Sequence, residues 1–158
     1  MKKILSLIIV FAGVSLSVLA DNKEEAVQFF NNYVKAANSY SPTIADMYSP
    51  KARIIRQVVK PDGTTVDVET NTSTYITQMK IGQAGAKLRH YTNSYTNIDA
   101  SKISDNKYKV SSLRQPSGES YKLKTYMVLE KQSSGKWLIV EELMQTKEQI
   151  FLKYAKKS

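Results

Sequence analysis

The clearest pattern in the chain runs from Tyr121 to Thr146, where two alternating apolar stretches, YKLKTYMVLEKQ and KWLIVEELMQT, flank Ser-Ser-Gly. Apolar alternation on both sides of a short turn signal is the mark of a β-hairpin. In its second strand, strict alternation puts Trp137, Ile139, Glu141 and Leu143 on one face, with Leu138, Val140, Glu142 and Met144 on the other. Both faces are largely apolar, so both are expected to be covered at least in part. Upstream the period changes. Ala26, Phe30, Tyr33, Ala37 and Tyr40 recur at three- and four-residue steps, which paints one apolar stripe on a helix of about four turns starting near residue 23, with Asp21 or Asn22 as its cap. Ser41-Pro42 opens a second, short helix buried through Ile44, Met47 and Tyr48, and Pro50 ends it. Residues 53–60 and 64–70 read as strands joined by a Pro61-Asp62-Gly63 turn. Residues 72–79 read as a further helix, and Gly82 and Gly85 as punctuation before a strand over 86–98 that is polar on both faces. A turn over 99–106, a strand over 108–114 and a turn over 115–119 then lead into the hairpin, completing a four-strand meander.

Composition narrows the setting. Lys2 and Lys3 precede an apolar run from Ile4 to Leu19 that closes on Ser-Val-Leu-Ala, the layout of a secretory signal over residues 1–20. The run is about sixteen residues long where a spanning helix usually needs roughly twenty, so a cleaved leader is favoured over an anchor. The expected location is therefore periplasmic or secreted. The rest is long enough for one domain with one core. Cysteine is absent, which closes thiol catalysis, thiolate metal sites and disulfide stabilisation, and the lone histidine, His90, closes His-His metal clusters; no metal and no cofactor is expected. The net charge of +9 favours anionic surroundings, but the basic residues are scattered, so no nucleic-acid partner is expected. Residues 147–158 form a basic amphipathic tail with Ile150, Phe151 and Tyr154 on one side and Lys147, Lys153, Lys156 and Lys157 around it. Such a tail can touch an anionic membrane or an envelope protein, with Phe151, Lys153, Lys156 and Lys157 as contacts, or simply pack on the domain.

Two phrases carry a family resemblance. Ala45-Asp-Met-Tyr-Ser-Pro-Lys-Ala-Arg-Ile54 resembles the aromatic-Ser/Thr-Pro-x-Ala link between second helix and first strand in the nuclear transport factor two-like, or SnoaL-like, superfamily. Gly135-Lys-Trp-Leu-Ile-Val140 resembles the entry into its last strand. The resemblance implies an α+β domain over residues 21–146, with N-terminal helices packed in the concavity of a strongly curved, mainly antiparallel sheet, a cone-like half barrel. It also implies a pocket in that concavity, and a homodimer through the convex face in which Tyr91 and Tyr95 would be interface residues if they lie outside.

Enzymes of that superfamily bury acids, bases and phenols in an apolar pocket. Here Asp46, His90, Glu141 and Glu142 are the available bases, and Tyr33, Tyr91, Tyr95, Tyr121 and Tyr126 the available donors; none sits in a catalytic phrase, so no catalytic residue is assigned. The expected hollow is lined by Tyr33, Tyr48, Trp137 and one of the two glutamates, with His90 a further candidate. Glu141 and Glu142 point to opposite faces, so at most one can enter it. That carboxylate is either paired across the sheet, with Arg56 or Arg114, or is the pocket's polar group. Three functions stay open: an exported domain binding a small apolar ligand or a protein, an isomerase- or dehydratase-like enzyme, and a structural subunit of an envelope or secretion assembly.

Overall fold

The structure, a computed structural model, describes residues 12–155, with side chains from Asn22 onward. The start of the expected leader, residues 1–11, and Lys156 and Lys157 of the tail lie outside the described residues. The chain runs α1 (Ala12–Asn38), a 3-10 turn (Pro42–Met47), β1 (Tyr48–Val59), β2 (Thr65–Thr70), α2 (Thr72–Leu88), β3 (Asn93–Ser104), β4 (Lys107–Pro116), β5 (Leu123–Lys131), β6 (Trp137–Thr146) and a second 3-10 turn (Gln149–Tyr154). Six strands form one curved open sheet in the order β2-β1-β6-β5-β4-β3. Every neighbouring pair is antiparallel except β1 with β6. Helices cover the concave face, so the α+β architecture expected from the sequence is the one observed.

Local chemistry sets the turns. Asp62 accepts from the Thr64 backbone N–H at 2.9 Å and from its hydroxyl at 2.7 Å, and Gly63 takes the left-handed conformation that closes the β1–β2 hairpin. Ser41 and Asn71 cap their helices by accepting from the N–H groups of Thr43 and Thr74. Gly135, also left-handed, closes the β5–β6 hairpin.

Boundaries differ from the sequence expectation: the short helix stops at Met47, and β1 begins at Tyr48, so Pro50 lies within the strand instead of ending the helix. The first helix continues back to Ala12 without a break, so Asn22 does not cap it; its side chain instead reaches the Asp105 carbonyl at 3.2 Å. The second helix passes through Gly82 and Gly85 to Leu88, because Tyr75, Met79, Gln83 and Ala86 keep helical spacing toward the interior and outweigh the roughly 1 kcal/mol that each glycine costs. The polar strand therefore begins at Asn93 and extends to Ser104, into the expected turn. Finally, β6 is bulged: Leu129 pairs with Ile139 but Val128 with Glu141, leaving Val140 as an extra residue. The bulge moves Glu142 and Met144 onto the same face as Trp137 and Ile139 and sends Glu141 to the opposite one.

The core sits between α1 and the concave face. Phe30, Val110, Leu129 and Ile139 are fully buried, each worth roughly 1.5–3 kcal/mol of apolar burial. Tyr108 meets Trp137 edge to face at 6.2 Å. The Trp137 indole N–H donates to Glu25 at 2.9 Å, and Lys131 pairs with the same carboxylate at 2.6 Å, which seals this end of the cup.

Candidate functional site

The other end of the cup is hollow. A chamber of about 770 Å³ lies between α1, α2, the ends of the strands and the C-terminal turn. The first helix contributes Tyr33, the second Tyr75 and Met79, β2 contributes Val68 and β6 Met144, so the walls are predominantly apolar. The C-terminal turn packs beside β1 and β2, with Gln149 donating to the Val59 carbonyl at 2.9 Å. This places Phe151 and Tyr154 in the chamber wall, while Lys153 lies over the Tyr154 ring at 4.7 Å.

Behind this wall sits a fully buried carboxylate. Glu142 has no exposure, and its Oε1 accepts from Arg56 Nη1 at 2.8 Å and from the Tyr75 hydroxyl at 3.4 Å. The Tyr48 hydroxyl donates to Oε2, with the Tyr33 and Tyr75 hydroxyls 3.3 and 3.4 Å away. Arg56 also lies over the Tyr75 ring at 4.7 Å. Burial first, and then the Glu142 charge, push the Tyr33 and Tyr48 phenols well above their ordinary range, so both stay protonated. Burial alone would pull the Arg56 guanidinium down, but Tyr75 and Glu142 outweigh it and hold it above its ordinary value. Tyr33, Arg56 and Tyr75 face the chamber; Glu142 and Tyr48 do not.

A second polar chain crosses the chamber floor. Asn38 and Asn93 exchange two hydrogen bonds of 2.9 Å, tying the end of α1 to the start of β3. The Asn93 side-chain oxygen accepts from Arg114 Nη1 at 2.8 Å, and Arg114 Nη2 donates to the Gln145 carbonyl at 2.8 Å. Arg114 is 5% exposed and borders both this chamber and an adjoining cavity of about 260 Å³.

Solved structures share this architecture. A scytalone dehydratase candidate from Novosphingobium aromaticivorans superposes with a TM-score of 0.58 at 14% identity, over 83% of this chain and 86% of that one. A protein of Shewanella oneidensis described as nuclear transport factor two-like gives 0.57 at 12% identity, over 78% and 98%. A ketosteroid isomerase candidate from Shewanella frigidimarina gives 0.54 at 15%, over 74% and 91%. The fold is nuclear transport factor two-like. No protein-family model and no curated protein matches the sequence, and at these identities the likeness carries the fold and not the chemistry.

Within this nuclear transport factor two-like cup, the residues singled out from the sequence separate. Tyr33 lines the chamber, and Tyr48 and Glu142 form the cluster behind its wall, as a carboxylate paired with Arg56. Trp137 belongs to the sealed end instead, because it lies at the opposite end of β6 from Met144 and its indole is taken by Glu25. The bulge puts Glu141 on the convex face, where it accepts from Tyr126 at 2.7 Å and lies 3.5 Å from Arg53. His90 is exposed in a left-handed turn just after α2 and stands outside the chamber. Asp46 is likewise exposed, and Tyr121 borders the smaller cavity beneath Lys147. Tyr91 and Tyr95, the conditional interface pair, are on the concave side: Tyr95 meets Phe30 edge to face at 5.4 Å, and both line the chamber. Among the described residues no cluster of acids and histidine could hold a metal ion.

Sequence reasoning passed over Tyr75 as a site residue and named Arg114 only as a possible partner of the carboxylate, not as a chamber residue in its own right. The signal for Arg114 was its phase. Tyr108, Val110, Ser112 and Arg114 alternate along β4 and all are buried, so an arginine in step with two apolar residues had to enter the interior.

Proposed function

We propose that this protein, exported by its leader, binds a small amphipathic ligand in the chamber and does not use Glu142 to transform it. The observation that carries the reading is a large, mainly apolar chamber whose carboxylates, Glu69 at the rim and Glu142 behind the wall, are each paired with an arginine. A volume of about 770 Å³ lies within the range of sites that enclose small molecules. Glu142 lies behind the wall with Arg56, Tyr48 and Tyr75 on its oxygens, so contact with a ligand would require that set to open. A general base needs hydrogen-bond reach to the proton it removes.

A second reading is an isomerase- or dehydratase-like enzyme. It takes support from the neighbours described as scytalone dehydratase and ketosteroid isomerase candidates, and from Tyr75 and Arg56 standing directly between Glu142 and the chamber. That reading requires the carboxylate to exchange Arg56 for a substrate proton.

The binding reading is tested with N-phenyl-1-naphthylamine, an uncharged fluorophore that brightens in apolar surroundings. The protein is expected to brighten it saturably, and Ala86→Trp, which fills the chamber from α2, is expected to abolish the effect. Brightening that survives Ala86→Trp in a folded protein would place the dye elsewhere and overturn the reading.

A further inference from the structure

The charges around the chamber do not cancel. Arg56 is matched by Glu142, Glu69 at the rim pairs with Arg53, and Arg89 at the mouth is exposed to solvent, which screens its charge. Arg114 has no such counterpart. It is 5% exposed, and every partner it has is neutral: the Asn93 side-chain oxygen, the Gln145 carbonyl and, at 3.5 Å, the Tyr91 hydroxyl. Its Nε is buried without any hydrogen-bond partner. Among the described residues no carboxylate forms an ion pair with it.

A cation taken out of water costs several kcal/mol unless an anion or a full set of hydrogen bonds offsets it. Arg56 and Arg114 are the two arginines of the sheet that enter the chamber out of solvent, and only the first has its anion. The position of Arg114 is also built rather than incidental. The Asn38–Asn93 exchange fixes the acceptor of Nη1, and the backbone of β6 fixes that of Nη2, so the guanidinium is held at the boundary of the two cavities from both sides of the sheet. Guanidinium groups held in this way match planar carboxylates. Around it lie Met144, Phe151 and Tyr91, apolar or amphipathic groups that suit the first carbons of a ligand's body.

We propose that Arg114 receives the carboxylate of the chamber's ligand, so that the ligand class is an amphipathic carboxylic acid with its body against Tyr33, Val68 and Met79. The proposal rests on the binding reading above and adds the chemistry of the head. It places the head at the junction of the two cavities and the tail toward α2. Glu142 takes no part, since its charge is answered by Arg56.

Displacement of N-phenyl-1-naphthylamine from the full chain by decanoate, decanol, decyl phosphate and decyltrimethylammonium tests it. Decanoate is expected to displace the dye at least about tenfold more effectively than decanol, the worth of one charge-assisted hydrogen bond, with decyltrimethylammonium weakest. In Arg114→Gln the decanoate advantage should vanish while the dye itself still binds; Arg114→Lys, which keeps the charge, should retain part of it. Equal displacement by decanoate and decanol in the unmodified protein needs no variant to fold and would overturn the proposal, as would an advantage that persists in Arg114→Gln. Decyl phosphate outcompeting decanoate would also overturn it, by assigning the head to another anion. Failure of the uncharged dye to bind at all is a different outcome: it removes the binding reading, and the proposal with it.

Discussion

The two ends of the cup are made from the same elements and do opposite things. At the sealed end Phe30, Tyr108, Leu129 and Ile139 meet directly, and the polar rim of Glu25, Lys131 and Trp137 closes over them. At the hollow end the same sheet presents Arg56, Glu142 and Arg114 in positions that continue the buried phase of Ile54, Ile139 and Val110. Close packing supplies stability at the first end. At the second, the sheet gives up apolar contact for a paired charge, a set of phenols and a space. The difference teaches that the chamber is not a packing failure: Arg56, Glu142 and Arg114 are each tied to a partner on a different element.

The largest expected effect follows from breaking the pair that holds the hollow end. Arg56→Met leaves Glu142 buried without its cation and is expected to cost about 3–5 kcal/mol in urea unfolding. Adding Glu142→Leu should restore much of that loss, because the uncompensated charge is then gone. A loss below about 1 kcal/mol for Arg56→Met would mean that the pair is no more than a surface contact.

A smaller effect comes from the phenols. Tyr33 and Tyr48 have folded pKa values raised above that of the unfolded chain, which ionises near about 10. Their contribution is therefore complete below pH about 10, and it is lost as pH rises from there toward the folded values, since the unfolded state ionises first. Urea midpoints measured from pH 8 to 11 should fall above pH about 10, on the order of 1 kcal/mol per tyrosine per unit. Tyr33→Phe should flatten that fall. An unchanged slope would show that this phenol ionises freely in the folded protein.

How much of this was readable in advance depended on whether phase or register decided it. The meander, the Asp62-Gly63 hairpin and the stripe through Phe30 and Tyr33 follow from local periodicity and turn chemistry, and these were legible. The opposite facing of the two glutamates was legible too, because a strand alternates whatever its register, and the cation beside the buried one was narrowed to Arg56 or Arg114, of which it is Arg56. Which glutamate goes inside was not. That was decided by one extra residue at Val140, and a single-residue bulge exchanges the faces of everything beyond it without a glycine or proline to announce it. The strand expected over 86–98 starts late for a related reason: residues 86–88 end α2, whose glycines read as breaks but whose interior face stays in helical step, and residues 89–92 turn before β3 begins. Tyr91 and Tyr95 share a side, as their spacing expects, but the side is the concave one, so the condition for an outer interface is not met.

The most direct test of the contrast between the two ends is methyl NMR of the Ile-, Leu-, Val- and Met-labelled protein titrated with N-phenyl-1-naphthylamine. The account predicts shifts at Ile44, Val68, Met79 and Met144, which line the hollow, and none at Val110, Leu129 or Ile139. Shifts centred on Val110, Leu129 and Ile139, or on Ile55 and Leu143 of the convex face, would contradict it.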